Sequence, residues 1–122
     1  MPNIAAFLPI ILLAGACKPA PDERHFTPRA DAARGKAAIV RAGCASCHAI
    51  PGVDWPKGAV GPSLTGFADQ TLIAGRLPNR PDLLAAFVRN APATLPGTTM
   101  PAMPLTAEES RDVAAYLAEL KR

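Results

Sequence analysis

The scarcity of large apolar side chains is the feature that most restricts what this chain can fold into. Its 122 residues include one Trp, one Tyr and four Phe, so aromatic residues make up only 5%. Although 49% of the residues are hydrophobic, many of these are alanines or belong to an apolar run near the N-terminus. What remains is one domain at most, of roughly 105 residues, and it can bury only a thin core of its own. We therefore expect a bound group to fill its interior.

The N-terminal residues 1–16 have the pattern of an export signal. An apolar run from Ile4 to Leu13 is followed by the small residues Ala14-Gly15-Ala16. The run is too short to cross a bilayer comfortably, and Pro9 within it argues against a permanent membrane helix. We therefore expect the chain to be exported to the periplasm and cleaved after this segment.

Two cleavage patterns overlap just before Cys17. Ala14-Gly15-Ala16 fits ordinary release, whereas small residues directly before a cysteine resemble a bacterial lipobox, in which Cys17 would become the lipidated first residue. We favour lipidation, because a leftover thiol is a liability in an oxidising compartment. Residues 17–28 are rich in proline and charge, which predicts an extended tether between this anchor and a domain over residues 29–122.

The remaining sequence indicates helices separated by long loops. We expect helices over residues 30–41 and 81–90, and a last helix that begins with the capping box Thr106-Ala107-Glu108-Glu109. Gly35 lies in the middle of the first helix, where the close approach of another helix best explains it. Gly43 ends that helix just before Cys44.

Between these helices the sequence predicts mostly loops. Residues 51–66 and 91–104 are rich in Gly or Pro, and residues 70–77 suggest a short helical turn. No stretch alternates for long enough to be a convincing strand, so the fold class is all-α. Loops of this length in so small a domain argue that they wrap a ligand.

Cys44-Ala45-Ser46-Cys47-His48 is a C-x-x-C-H motif, the attachment signature of c-type haem. Two thiols on one tight turn can bond to the two vinyl groups on one side of a porphyrin, and the next imidazole then lies under the iron. A thioredoxin-type redox pair would need a βαβ setting, and zinc would need a second pair of ligands. A plain structural disulfide is a third alternative, but the export signal and the adjacent histidine favour one covalently bound haem c.

The far face of the iron calls for a second ligand. His48 is the last histidine, so the candidates after the motif are Met100 and Met103, which lie in a loop stiffened by prolines. A thioether ligand raises the reduction potential and favours electron transfer over oxygen chemistry. We prefer Met100 as the iron ligand and expect Met103 to pack in the interior.

From about Ala30 to Leu120 the sequence resembles the class I c-type cytochromes. Besides the C-x-x-C-H motif, the resemblance rests on Gly35 and Ile39 in the first helix, on Tyr116 in the last helix and on the segment Gly61-Pro62-Ser63-Leu64. It implies a class I cytochrome c fold, with roughly three to four helices and long loops wrapped around one covalently bound haem.

The resemblance also implies roles for individual residues. The first and last helices would cross where Gly35 and Ile39 pack against Tyr116, and the carbonyl of Pro62 would accept a hydrogen bond from Nδ1 of His48. Family members place the axial methionine about sixteen residues before the aromatic residue of the last helix, a spacing that Met100 fits.

A narrower resemblance covers residues 61–109, which are similar to the cytochrome c domain attached to subunit II of some bacterial haem-copper oxidases and to related free carriers. It implies that Trp55, Arg76 and Asn79 lie around the haem propionates. Ordinary loop packing for Trp55 and a solvated surface charge for Arg76 are the alternatives. The copper-binding part of subunit II has no counterpart in this sequence, which implies a separate carrier or an accessory subunit.

The rest of the sequence lacks the residue sets of common enzymes. No acid/base pair with a histidine, phosphate loop or Ser/His/Asp set can be assembled, and a net charge of +3 spread along the chain gives no case for nucleic acid. We therefore predict a monomeric periplasmic one-electron carrier whose transient partner is an oxidase, a dehydrogenase or a cytochrome complex. The alternatives are a fixed haem subunit of a membrane redox complex, and a five-coordinate haem protein that binds small gases or reduces peroxide.

Overall fold

The computed structural model of the protein describes residues 29–122. The predicted export signal (1–16), the predicted lipidation site Cys17 and the predicted tether (17–28) lie outside the described residues. The described elements, in chain order, are α1 (Ala32–Ala42), β1 (Leu72–Ile73), β2 (Leu77–Pro78), α2 (Pro81–Arg89), α3 (Ala91–Thr94) and α4 (Ala107–Leu117). None of the described helices is long and apolar enough to cross a membrane.

Helices α1 and α4 form the main helix pair, and they cross at Gly35. A Cβ atom at this position would overlap the carbonyl group of Asp112, so the two backbones are in direct contact, as the sequence predicted. The buried Asp112 carboxylate also accepts hydrogen bonds from Nε of Arg34 at 2.9 Å and from the backbone N–H of Asp31 at 2.7 Å. The start of α1 is therefore fixed to α4 by a charged group as well as by close packing.

The nearest neighbours of Gly35 on α4 lie about one turn before Tyr116. The atoms nearest to its missing side chain belong to the backbone of Asp112 and Val113, and not to the ring of Tyr116. Tyr116 instead donates its hydroxyl hydrogen to the carbonyl of Pro51 at 2.6 Å. The crossing point therefore lies about one turn before Tyr116 along α4.

The ends of the long helices follow the local sequence signals. Gly43 adopts φ 75°, ends α1 and turns the chain into the C-x-x-C-H motif. Thr106 and Glu109 form the predicted capping box of α4, since each side chain accepts a hydrogen bond from the backbone N–H of the other. The helix predicted at residues 81–90 is present as α2, with Leu84, Phe87 and Val88 buried.

Two segments differ from the sequence prediction. Residues 70–77, expected as a helical turn, contain β1 and lead into β2; the two strands pair antiparallel, with Ile73 opposite Leu77. Ala74 and Gly75 both have positive φ, and this conformation reverses the chain within three residues. Residues 91–94, expected as loop, form the short helix α3, because the side chain of Asn90 caps the N–H of Ala93 and a proline fits the first helical turn.

Candidate cofactor-binding site

A cavity of about 530 Å³ lies between the helices and the long loops. Its wall combines Ile39 of α1, Phe87 of α2 and Val113 of α4 with residues of the hairpin and of the intervening loops. The described residues that line it include no Asp, Glu, Lys or Arg. A large space with an apolar wall fits a large apolar ligand and not a small charged substrate.

The C-x-x-C-H turn forms one wall of this cavity. After Gly43, residues Cys44–Ser46 make a single 3₁₀ turn, and the N–H groups of Cys47 and His48 both donate to the carbonyl of Cys44. The side chains of Cys44, Cys47 and His48 all line the cavity, and both thiols are free and half-buried. Burial raises the pKa of the Cys44 thiol, so this group stays protonated at neutral pH.

His48 is held in one orientation by the segment Gly61-Pro62, which also lines the cavity. Its Nδ1 lies 2.7 Å from the carbonyl oxygen of Pro62, which can only accept, so Nδ1 carries the proton and donates. Gly61 lies against the ring, because a Cβ atom there would come within 2.6 Å of Nδ1. The backbone N–H of Gly61 also donates to the carbonyl of Cys47 at 2.7 Å. Nε2 is thereby left with a free lone pair that can bind a metal.

Both candidate methionines line the same cavity, and both are half-buried. The backbone N–H of Met103 donates to the carbonyl of Arg89 at 3.0 Å, and its neighbour Ala102 pairs with Asn90 as an isolated β-bridge. The backbone N–H of Met100 has a longer contact, 3.4 Å, with the hydroxyl of Thr98. The structure thus brings both thioethers to the cavity, and the preference for Met100 stays a prediction.

The three residues expected around the propionates are not in the cavity wall. The side chain of Trp55 is 85% exposed, in the loop that follows the motif. Arg76 is exposed in the hairpin turn, next to Gly75, which does line the cavity. Asn79 donates from Nδ2 to the carbonyls of Gln70 and Phe67, so it joins the hairpin to the preceding turn. Their role beside propionates stays a prediction.

Sequence reasoning missed several wall residues that tertiary contacts bring to the cavity. Phe67 and Ile73 are buried in the wall, whereas Val60 lies at its mouth and is 88% exposed. Only Val60 had a usable signal, because it directly precedes the Gly61-Pro62 segment. Phe67 and Ile73 reach the cavity wall because they belong to the hairpin and to the turn before it. No local sequence pattern places these elements against the motif.

The residues at this site fit the group that the motif implies. Haem c needs two neighbouring thiols, a nearby imidazole with an unprotonated nitrogen, and an apolar space around the ring. The cavity brings all of these together, and it adds two thioethers from a separate loop. This combination is chemically specific, because a site for a hydrated ion or a charged substrate would need charged groups in its wall, and the described residues that line this cavity include no Asp, Glu, Lys or Arg.

Comparisons with known proteins agree with this arrangement. In sequence, the chain is 38% identical over 79 residues to cytochrome c oxidase subunit 2 of Alkalihalophilus pseudofirmus, a match that covers 64% of this chain and 22% of that protein. The chain thus spans about a fifth of the length of this relative. The match confirms the narrower resemblance to the cytochrome c domain of oxidase subunit II.

Similarity of structure and a family model extend over more of the chain. The fold is similar to the crystal structure of SoxXA from P. pantotrophus, with a TM-score of 0.57 and 27% identity, over 75% of this chain and 82% of that one. The cytochrome c family model matches residues 32–121, from the first residue of α1 to beyond the end of α4. With the all-α fold and the C-x-x-C-H cavity wall, these matches show that the chain belongs to the cytochrome c family, as a class I c-type cytochrome whose covalently bound haem carries electrons.

Proposed function

We propose that this protein is an exported one-electron carrier with a single haem c, bonded to Cys44 and Cys47 and ligated by His48 and Met100. The observation that carries the proposal is the convergence of these four side chains on one apolar cavity of about 530 Å³. When bound, haem iron supplies a reversible one-electron couple. The protein's own residues then set the potential of that couple and the access to it.

The hydrogen bond from His48 to Pro62 supports a stable axial ligand. It keeps the proton on Nδ1, leaves Nε2 free to bind a metal and makes the imidazole a stronger electron donor. A thioether on the other face would fill the remaining coordination position, which disfavours oxygen chemistry and raises the potential. These features support electron transfer over gas binding or peroxide reduction.

The mouth of the cavity supports exchange of electrons with a protein partner. Val60 and Pro62 line the cavity and are also exposed, so the interior comes to the surface beside the His48 turn. We propose that a respiratory oxidase or another redox complex docks there transiently. A fixed haem subunit of such a complex is the second candidate, and the match to a protein named as an oxidase subunit favours it.

The proposed ligand set is tested by the absorption spectra of Met100→Ala and Met103→Ala proteins, produced in a host that attaches haem c. We expect Met100→Ala to lose the low-spin spectrum and the weak long-wavelength band of a methionine–iron(III) bond, and Met103→Ala to keep both. If Met103→Ala loses them instead, the ligand is Met103. A high-spin spectrum of the unaltered protein would support the five-coordinate alternative.

The proposed location is tested by membrane fractionation. Lipidation of Cys17 would hold the protein on the membrane through the tether over residues 17–28, so Cys17→Ser should move it to the soluble periplasmic fraction. An unchanged distribution would contradict the anchor. Co-purification of an oxidase with both forms would favour a fixed subunit over a free carrier.

A further inference from the structure

We propose that Tyr116 is a positioning residue for the axial ligand His48, and that it acts through the main chain at Pro51. This inference rests on the proposed ligation of haem iron by His48. Tyr116 belongs to α4 and is half-buried, but it is not among the residues that line the cavity. The hydrogen bond of Tyr116 leads instead to the segment that follows His48.

The contact is a short hydrogen bond between distant parts of the chain. The hydroxyl of Tyr116 donates to the carbonyl of Pro51 with an oxygen–oxygen distance of 2.6 Å, across 65 positions of sequence. Pro51 lies only three residues after His48. A displacement of the Pro51 carbonyl is therefore transmitted to the backbone of His48 through only two intervening residues.

The loop leaves space for the tyrosine hydroxyl at one position. Gly52 has φ 84°, and a Cβ atom there would overlap the hydroxyl of Tyr116 and lie 3.7 Å from Nζ of Lys36 on α1. The tip of the loop thus lies against both helices of the α1–α4 pair. The helices α1 and α4 are also joined by the ion pair between Arg34 and Asp112. The hydroxyl of Tyr116 therefore attaches the segment after His48 to a helix pair that is held together independently.

The chain between the ligand and the tyrosine has little freedom. Ile50 is 4% exposed, its carbonyl accepts from the N–H of Val53 at 3.0 Å, and the carbonyl of Ala49 accepts from the N–H of Leu64 at 2.9 Å. The imidazole of His48 is held separately, by the carbonyl of Pro62. Without the tyrosine hydroxyl, this segment loses its attachment to α4, so the hydrogen bond from Nδ1 of His48 to Pro62 should open more often.

Tyr116→Phe tests the inference, because it keeps the ring and removes only the hydroxyl. The measurement is the hydrogen-exchange rate of the His48 Nδ1–H proton, followed by NMR in the haem-loaded, reduced protein. We expect exchange about fivefold faster, the factor that corresponds to the loss of one ordinary hydrogen bond. Backbone amides at the centre of α2 should keep their rates, which separates a local effect from a general loss of stability.

Ser110→Ala is the matched control. Ser110 is buried on the same helix, and its hydroxyl donates to the carbonyl of Ala107 at 2.9 Å, away from the His48 loop. This variant also loses one hydroxyl hydrogen bond, but it should leave the exchange of Nδ1–H unchanged. Equal rates in Tyr116→Phe and the unaltered protein, equal acceleration in both variants, or a Tyr116→Phe protein that fails to fold would each overturn the positioning role.

The same experiment distinguishes failure of this inference from failure of the proposed function. A protein without haem, or with iron that His48 does not ligate, would contradict the proposed function itself. A haem protein ligated by His48 whose Nδ1–H exchange is indifferent to Tyr116→Phe would contradict only the role of Tyr116.

Discussion

Gly35→Ala should destabilise the protein even though alanine is the better helix former. The ideal Cβ atom at this position would lie 2.5 Å from the carbonyl carbon of Asp112 and 3.0 Å from the backbone nitrogen of Val113. Both obstacles are backbone atoms of a helix, so no side-chain rotation can relieve the overlap. The carbonyl oxygen of Asp112 would be closer still, so the helices α1 and α4 would have to move apart by more than about 1 Å to reach ordinary van der Waals separation.

The expected magnitude combines two opposing effects. Replacing glycine by alanine inside a helix gains about 1 kcal/mol. Overpacking costs about 1–3 kcal/mol, and the upper end applies here because separating the helices also strains the hydrogen bonds from Arg34 and Asp31 to Asp112. The net free energy of unfolding should therefore fall by about 2 kcal/mol, which corresponds to a urea midpoint lower by about 1 M.

The assay is urea unfolding of the haem-loaded protein, followed by circular dichroism. Ala37→Gly is the matched control, because Ala37 is exposed on the same helix and its change measures helix propensity alone, at about 1 kcal/mol. A Gly35→Ala protein as stable as the unaltered one, or more stable by the amount that Ala37→Gly loses, would refute the close contact between the helices.

Three further predictions follow from individual contacts. The hydrogen bond from Arg34 holds the pKa of Asp112 below its usual range, so the stabilisation it gives is present above about pH 4 and is lost as the pH falls through the lowered folded-state pKa. Asp112→Asn should therefore give a flatter decline of the urea midpoint between about pH 4 and pH 2, and an unchanged decline would contradict this assignment. Thr106→Ala should lower the free energy of unfolding by about 1 kcal/mol while Thr106→Ser keeps it, as measured by urea unfolding, because only the hydroxyl completes the capping box. Trp55→Ala should change the free energy of unfolding by less than about 0.5 kcal/mol, since Trp55 is 85% exposed. A shifted reduction potential in the same variant would support the predicted position of Trp55 beside the haem propionates, and an unaltered potential would contradict it.

Local sequence signals were sufficient for the helices and for the motif turn. The capping box at Thr106 and the glycine at position 43 each act within one helical turn, so the residues that carry the signal also form the structure. The same is true of Cys44, Cys47 and His48, which are neighbours in sequence and share one wall of the cavity. Gly35 was informative for a different reason, because a glycine inside a helix needs a contact partner to explain it.

The hairpin and the outer part of the site could not be predicted in this way. Strands β1 and β2 have two residues each, too few to show alternation, and their turn depends on an alanine at φ 50° that no propensity favours. The position of Trp55 likewise depends on how its loop is held, through the N–H of Gly58 on the carbonyl of Ala45. Such contacts join residues that only the tertiary fold brings together.

Most of the large side chains of the hydrophobic core also line the cavity. Ile39, Ile73 and Val113 are the largest fully buried side chains in the described part of the chain, and all three line the cavity, as do Phe67 and Phe87. These residues surround the cavity as well as packing against one another. A group that fills the cavity therefore contacts the most deeply buried side chains of the core. Elsewhere the chain is held by close backbone contacts such as that of Gly35 with Asp112, which need no side-chain volume. Burial of the cofactor and stability of the fold are therefore two aspects of one packing arrangement, because a covalently attached ring leaves water only when the chain folds around it.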